Sequence, residues 1–290
     1  MNIKNAIRRL LPPRKLDSHK GDFGRVFILA GSVGMSGACV LAGKAALRSG
    51  AGLVTVGVPE SLAIPLSRRI AAEAMTKPLP ETAKGTLSAR AYRPVQKFLK
   101  GQDVFALGPG LSQNPETERL IRKLVLRSTK SMVIDADGLN AFRGKAPLLR
   151  KINCSAVVTP HPGEFVRLFG GRIPKGRTER VKRSLEAARQ FSVVVVLKGN
   201  QTVVASPEGN LYVNSTGNAG MATGGSGDVL LGVIAALLGQ GLSPFDAAKA
   251  GVYLHGLAGD LARKKVGEIS LMAGDLTQFL PQAFRKTLGR

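Results

Sequence analysis

Arg25-Val26-Phe27-Ile28-Leu29-Ala30, the loop Gly31-Ser32-Val33-Gly34-Met35-Ser36-Gly37, the Ala/Leu-rich run at 38–48 and the β-branched run at 53–58 (LVTVGV) carry the fold. The first apolar run reads as a strand and the second run as a helix. Gly50-Ala51-Gly52 then turns the chain into a second strand. Strand, helix and strand make a βαβ unit, which calls for parallel pairing through a right-handed crossover. The continuous Val/Ile content places both strands inside a sheet covered on its two faces.

The rhythm continues outward. Residues 104–107 read as a strand, Gly108-Pro109-Gly110 as a loop, 116–127 as a helix and 132–135 as a strand. Two further strands fall at 157–159 and 193–198, with a helix at 178–190 between them. Residues 201–205 and 211–213 flank Ser206-Pro207-Glu208-Gly209-Asn210 and read as an antiparallel hairpin. Helices follow at 228–238, 244–264 and 273–285. No linker or internal repeat divides the chain. The expectation is one α/β domain over residues 16–290, preceded by a basic segment at 1–15. In such sheets ligands bind at the carboxyl ends of the strands, where every glycine-rich loop named here falls.

Composition excludes several classes. A chain of 290 residues that is 44% hydrophobic, with mean hydropathy +0.06, is globular in character. No apolar run approaches the roughly 20 residues that cross a bilayer. Residues 1–15 lack the apolar core and cleavage site of a secretory leader; a short helix ending at Pro12-Pro13 and a transit peptide are the two readings. Cys39 and Cys154 belong to no CxxC or Cys/His array, which argues against zinc and fits a reducing cytoplasm. The 42 Lys+Arg against 19 Asp+Glu give a net charge of +23. Such a surface attracts anions. The basic residues are scattered, however, and with no Trp and three Tyr there is no stacking platform for nucleic acid. A solvated basic surface that helps an anionic small substrate is the reading, with no specific nucleic-acid partner and no membrane.

The strongest chemical signal is Asn218-Ala219-Gly220-Met221-Ala222-Thr223-Gly224-Gly225-Ser226-Gly227-Asp228, running into an apolar helix. Closely spaced glycines let backbone N–H groups approach an anion, and the helix start adds its positive end. An aspartate at that position is often only a cap. A cap needs no glycine cradle, whereas a base beside a phosphate does. Two other loops fail on spacing. Gly37 to Gly43-Lys44 ends in Ala45 where a P-loop needs Ser or Thr, and Gly31, Gly34 and Gly37 are spaced GxxGxxG rather than GxGxxG. Thr159-Pro160-His161-Pro162-Gly163-Glu164 holds His161 between two prolines at the end of a strand, either as a structural residue or as a site contact. Lys198, ahead of Gly199-Asn200-Gln201-Thr202, leaves an apolar run where a point charge can meet a phosphate, or where a hairpin turn leaves it solvated. Asp135-Ala136-Asp137 offers carboxylates that hold Mg²⁺ through water or support the next helix; the supporting role is preferred.

Assembled, these segments resemble the ADP/ATP-dependent NAD(P)H-hydrate dehydratases of the ribokinase-like superfamily. The likeness is carried by Ser18-His19-Lys20-Gly21-Asp22-Phe23-Gly24, residues 31–37, 46–54, 108–111, 135–140, 159–164, 198–202 and 218–228, with Tyr253-Leu254-His255-Gly256 and Ala273-Gly274-Asp275-Leu276 beyond. The resemblance implies a three-layer α/β/α ribokinase-like fold with a mostly parallel central sheet. It implies repair of NADH hydrate and NADPH hydrate: ADP or ATP, with Mg²⁺, phosphorylates the C6 hydroxyl, and loss of phosphate restores the ring double bond. By the same likeness Asp228 is the base. Ala38, Gly110, His161 and Asp228 contact the hydrate. Lys198, Gly199, Asn200, Gln201, Thr202, Gly224, Gly225, Ser226 and Gly227 contact the nucleotide. No residue is assigned to a metal. Ala219 and Ser226 depart from the family's usual Pro and Thr and keep the loop small. Many bacterial relatives carry an N-terminal epimerase domain for which this chain has no room, so a separate NAD(P)H-hydrate epimerase is expected, together with a homotetramer and ADP as donor. The rivals are a kinase of a small hydroxymethyl heterocycle, which shares Asp228 but leaves a stable phosphorylated product, and a basic nucleic-acid-binding protein.

Overall fold

A computed structural model describes residues 3–11 and 13–289. In chain order the elements are α1 (Ile3–Leu10), β1 (Arg25–Leu29), α2 (Ser36–Arg48), β2 (Leu53–Pro59), α3 (Glu60–Ser67), β3 (Met75–Leu79) and α4 (Tyr92–Leu99). Then come β4 (Val104–Leu107), α5 (Pro115–Arg127), β5 (Ser131–Ile134), the short α6 (Asp137–Asn140), β6 (Ala156–Val158), α7 (Pro162–Phe169), α8 (Gly176–Phe191) and β7 (Val194–Leu197). The hairpin β8 (Val203–Ala205) and β9 (Leu211–Val213) leads into α9 (Ser226–Gly239), α10 (Pro244–Val266) and α11 (Ala273–Leu288).

Nine strands form one sheet in the order β3-β2-β1-β4-β5-β6-β7-β8-β9. The first seven strands pair in parallel; β8 and β9 close one edge antiparallel. Alternation along the strands builds two cores. Val26, Ile28, Val56 and Val104 face a layer made by α2, α9, α10 and α11. Phe27, Leu29, Phe105 and Met132 face α4, α5, α7 and α8. The expected three-layer α/β/α arrangement is therefore present. Helix α9 is buried on every side from Val229 to Leu238, as an all-apolar helix must be. Ile7 of α1 is fully buried in the first core. Of the expected Pro12-Pro13 helix stop, Pro12 lies outside the described residues.

Strand β1 lies between β2 and β4, so the chain order reverses there. That switch point splays apart the loops after β1 and β4 and opens a crevice at the carboxyl ends. The two loops remain tied: Gly31 N–H donates to the Pro109 carbonyl at 2.8 Å, and Ser32 Oγ to the Gly110 carbonyl at 2.8 Å.

Four elements were not expected from the sequence. Strand β3 contains Lys77 and Pro78 and is only partly buried, which a sheet edge tolerates. Helix α3 carries Pro65 inside it and α4 Pro94 near its start. Helix α7 begins at Pro162, in the loop read as rigid.

Candidate functional site

Helix α9 begins one residue after Gly225, which sits at φ 88°, ψ −9°. This left-handed conformation suits glycine, and a Cβ here would lie 2.4 Å from Leu41 Cδ1. Asp228 is the third helical residue and not the cap. Its carboxylate makes no hydrogen bond among the described residues, so the capping alternative is not realised. The N–H groups of Gly225, Gly227 and Asp228 also lack backbone partners among the described residues, leaving donors and the positive helix end for an anion.

Lys198, just past β7, reaches this helix start. Its Nζ lies 2.6 Å from Asp135 Oδ1 and 3.8 Å from Glu164 Oε2. The Asp135 side chain is 2% exposed and that of Lys198 19%. Burial pulls the ammonium down, but Asp135 and Glu164 outweigh it and hold the pKa above its ordinary value. Burial raises Glu164, against the pull of Lys198. Burial, then the charge of Asp135, pushes Asp228 from 3.8 up to about 7, with Lys198 opposing. One ammonium cannot neutralise three neighbouring carboxylates, so Asp228 is left poised between acid and base. Ala136, between Asp135 and Asp137, holds φ 47°, ψ −120°, a strained conformation of the kind that clusters at functional sites.

On one side of Lys198 and Gly227 lies a cavity of about 580 Å³. The expected nucleotide residues Lys198, Gly199, Asn200, Gln201, Thr202, Ser226 and Gly227 all line it. A Cβ on Gly227 would stand 3.1 Å from Lys198 Nζ and 3.3 Å from Asp135 Oδ2, so glycine keeps the loop and the cation in close approach. Gly224 and Gly225 do not line the cavity; Gly224 is exposed with nothing within 4 Å of an added Cβ.

Of the expected hydrate residues, Asp228 stands at the start of α9, and the other three lie elsewhere. Gly110, at φ 64°, would place a Cβ 3.3 Å from Ala38 Cβ, so these two meet at the switch point. His161 caps α7: its Nδ1 accepts from Gly163 N–H at 3.0 Å, while its own N–H donates to Glu164 Oε2 at 2.8 Å. Its Nε2 faces Glu164 Oε1 at 3.4 Å, and Glu164 in turn faces Lys198. His161 thus joins the site through Glu164, with its ring half exposed. Asp137 accepts from Ser112 N–H at 2.8 Å and from Asn140 Nδ2 at 3.1 Å, the supporting role expected of it.

The sequence reading gave no role to His255. This residue is buried in α10, lines the cavity and holds Ser226 O at 3.0 Å through Nε2. Because a carbonyl only accepts, Nε2 carries the proton. Burial lowers its pKa to about 4, so the ring is neutral at physiological pH. A lone histidine in a helix otherwise rich in Ala and Gly was the available signal. The Ser18-to-Gly24 segment has no such place. Gly24 packs on Gly239, at the far end of α9 from Asp228.

The NAD(P)H-hydrate dehydratase family matches residues 26–282. The bifunctional NAD(P)H-hydrate repair enzyme of Moorella thermoacetica is 47% identical over 96% of this chain and 52% of that protein. This chain thus spans about half the length of that relative. The ADP-dependent (S)-NAD(P)H-hydrate dehydratase of Neisseria meningitidis serogroup B is 38% identical over 94% of this chain and 90% of its own length. The ADP/ATP-dependent NAD(P)H-hydrate dehydratase of Bacillus subtilis, co-crystallised with ATP/Mg²⁺, superimposes with TM-score 0.82 at 31% identity, covering 98% of this chain and 97% of that one. The match over residues 26–282, together with the identity to these relatives, shows that the chain belongs to the NAD(P)H-hydrate dehydratase family.

Proposed function

We propose that this chain is an ADP-dependent lyase that returns (S)-NADH hydrate and (S)-NADPH hydrate to NADH and NADPH. The observation that carries this reading is Asp228, a carboxylate pushed to about 7 at the start of α9, beside Lys198 and an anion-ready glycine loop. Hydroxide leaves carbon poorly and phosphate leaves well, so phosphorylation of the C6 hydroxyl solves the chemical problem. Asp228 takes the hydroxyl proton as the oxygen attacks the terminal phosphorus of the donor. The bond from that phosphorus to its bridging oxygen breaks, and the shortened nucleotide departs. The C6–O bond then breaks, inorganic phosphate leaves, and loss of a C5 proton restores the double bond.

Backbone N–H groups of Gly225 and Gly227 face the transferred phosphoryl group, and Lys198 balances its charge. The cavity formed by residues 198–202 takes the nucleotide; the region of Ala38, Gly110 and His161 takes the hydrate. Mg²⁺, when bound, neutralises phosphate charge. Among the described residues no cluster of three or more His, Cys, Asp and Glu forms a metal cage. His255 fixes the first turn of α9 through the Ser226 carbonyl.

In the same reading the chain is a cytoplasmic homotetramer working beside a separate epimerase. Exposed Ile64 and Ile269 supply apolar surface for assembly, free Cys39 and Cys154 fit a reducing compartment, and no described helix is long and apolar enough to cross a membrane. The test is the near-ultraviolet absorbance of reduced nicotinamide on mixing protein, Mg²⁺ and NADH hydrate with ADP, ATP or neither. A rise that needs a nucleotide and vanishes in Asp228→Asn supports the reading and chooses the donor. No rise from folded protein overturns it and directs attention to a kinase of small hydroxylated heterocycles.

A further inference from the structure

A second cavity, of about 450 Å³, opens where α4 runs out and the chain enters β5. Lys100 precedes β4 and residues 128–130 precede β5, so it lies at the amino ends of the strands, opposite the catalytic crevice. Its lining includes Arg93, Lys97, Lys100, Arg127 and Lys130 and no acidic residue. None of these five makes an ion pair among the described residues. The plain explanation for cations here is that they complement helix ends: α4 and α5 both terminate at this spot, and Lys130 Nζ donates to the Lys100 carbonyl at 3.4 Å. That explanation falls short in magnitude. A helix C-terminus is equivalent to roughly half a negative charge, so two ends offset about one of the five cations. The remaining charge, on mostly exposed side chains, surrounds a concavity, where fields from like charges add.

Two more groups point to a ligand. Gln96 lines the cavity, and its Nε2 is buried without a hydrogen-bond partner, a costly state that a turn of the side chain toward a bound anion would relieve. Tyr92 also lines this space, with Lys123 Nζ 4.0 Å from its ring centroid. The size is that of a small-molecule site, and the clustering around a pocket, rather than along a stripe, favours a compact anion over a nucleic-acid strand.

We propose that this basic cavity is a second binding site, remote from the catalytic end, for a small molecule bearing a di- or triphosphate group. The site is independent of the activity proposed above. It also gives a local use to part of the unusual +23 charge.

Lysine acetylation of the whole wild-type protein, read by mass spectrometry, tests the assignment without relying on a variant. Inorganic tripolyphosphate is the first probe. It should slow modification of Lys97, Lys100 and Lys130 by about tenfold, leaving exposed Lys264 and Lys265 at their free rate. Equal protection by ATP assigns the site to the phosphate chain itself, and protection by ATP alone to a nucleotide; both support the proposal. In the double variant Lys97→Gln/Lys130→Gln, calorimetric titration should show tripolyphosphate affinity at this site reduced at least about tenfold, with NADH-hydrate turnover unchanged. Protection no greater than at Lys264 and Lys265, unaltered affinity in the double variant, or protection by a single-stranded oligonucleotide but by neither phosphate probe would each overturn it.

Discussion

Lys198 Nζ lies 2.6 Å from Asp135 Oδ1, joining two residues 63 apart in sequence at the ends of β7 and β5. This contact sets the electrostatics of the whole site, because the same ammonium also faces Glu164 and lowers Asp228. Replacing Lys198 by Met leaves Asp135 buried and unpaired. Breaking a fully buried pair costs about 3–5 kcal/mol. With the Lys198 side chain 19% exposed, a loss of about 2–3 kcal/mol is expected in urea unfolding. The apparent pKa of the base should rise, since its nearest cation has gone.

The pH–rate profile follows from Asp228. In the proposed mechanism Asp228 must be ionised to take the hydroxyl proton, so kcat/KM should rise with pH and level off above about 7. His255, held neutral down to about 4, should add no inflection near 6.5. A rate that is flat from pH 5 to 8, measured with saturating nucleotide, would contradict this assignment.

Asp228→Asn should trade activity for stability. The folded-state pKa is raised from 3.8 to about 7, so ionisation of Asp228 penalises the folded state as pH climbs through that range. At pH 8 the variant should be more stable than wild type by about 2–4 kcal/mol. The difference should shrink through pH 7 and vanish near pH 4. Turnover should fall by about 10²–10⁴-fold. Chemical denaturation at several pH values checks the first outcome and initial rates the second.

Gly227→Ala places a methyl 3.1 Å from Lys198 Nζ, at the cavity proposed to take the nucleotide. We expect a KM for ADP raised about tenfold with little change in fold stability. In thermal melts, ADP at 100 times the wild-type Kd should stabilise wild type by about 2.7 kcal/mol and the variant by roughly half that.

Gly225→Ala is a different case. At φ 88° and with Leu41 Cδ1 2.4 Å from the added carbon, it must distort the start of α9 itself. A stability loss of about 1–3 kcal/mol together with loss of kcat is expected, by calorimetry and steady-state kinetics.

The succession of strands and glycine loops along this chain is local and was legible without coordinates. Short Val/Ile runs at β1, β4 and β7 and glycine loops behind them specify buried parallel strands, because burial and turn geometry act over a few residues. The glycine loop ahead of α9, the aspartate that follows it and the run at 198–202, which lines the cavity, were visible for the same reason. Strand β3 and helices α3, α4 and α7 escaped, since Pro and Lys in an edge strand and prolines at or inside helices are acceptable only in their tertiary setting. Tertiary structure alone decided that Lys198 meets Asp135 and Glu164, that Ala38 meets Gly110, that His255 supports Ser226 and that Asp228 sits near 7. Those outcomes depend on distance and desolvation between residues far apart in the chain, which no local pattern encodes.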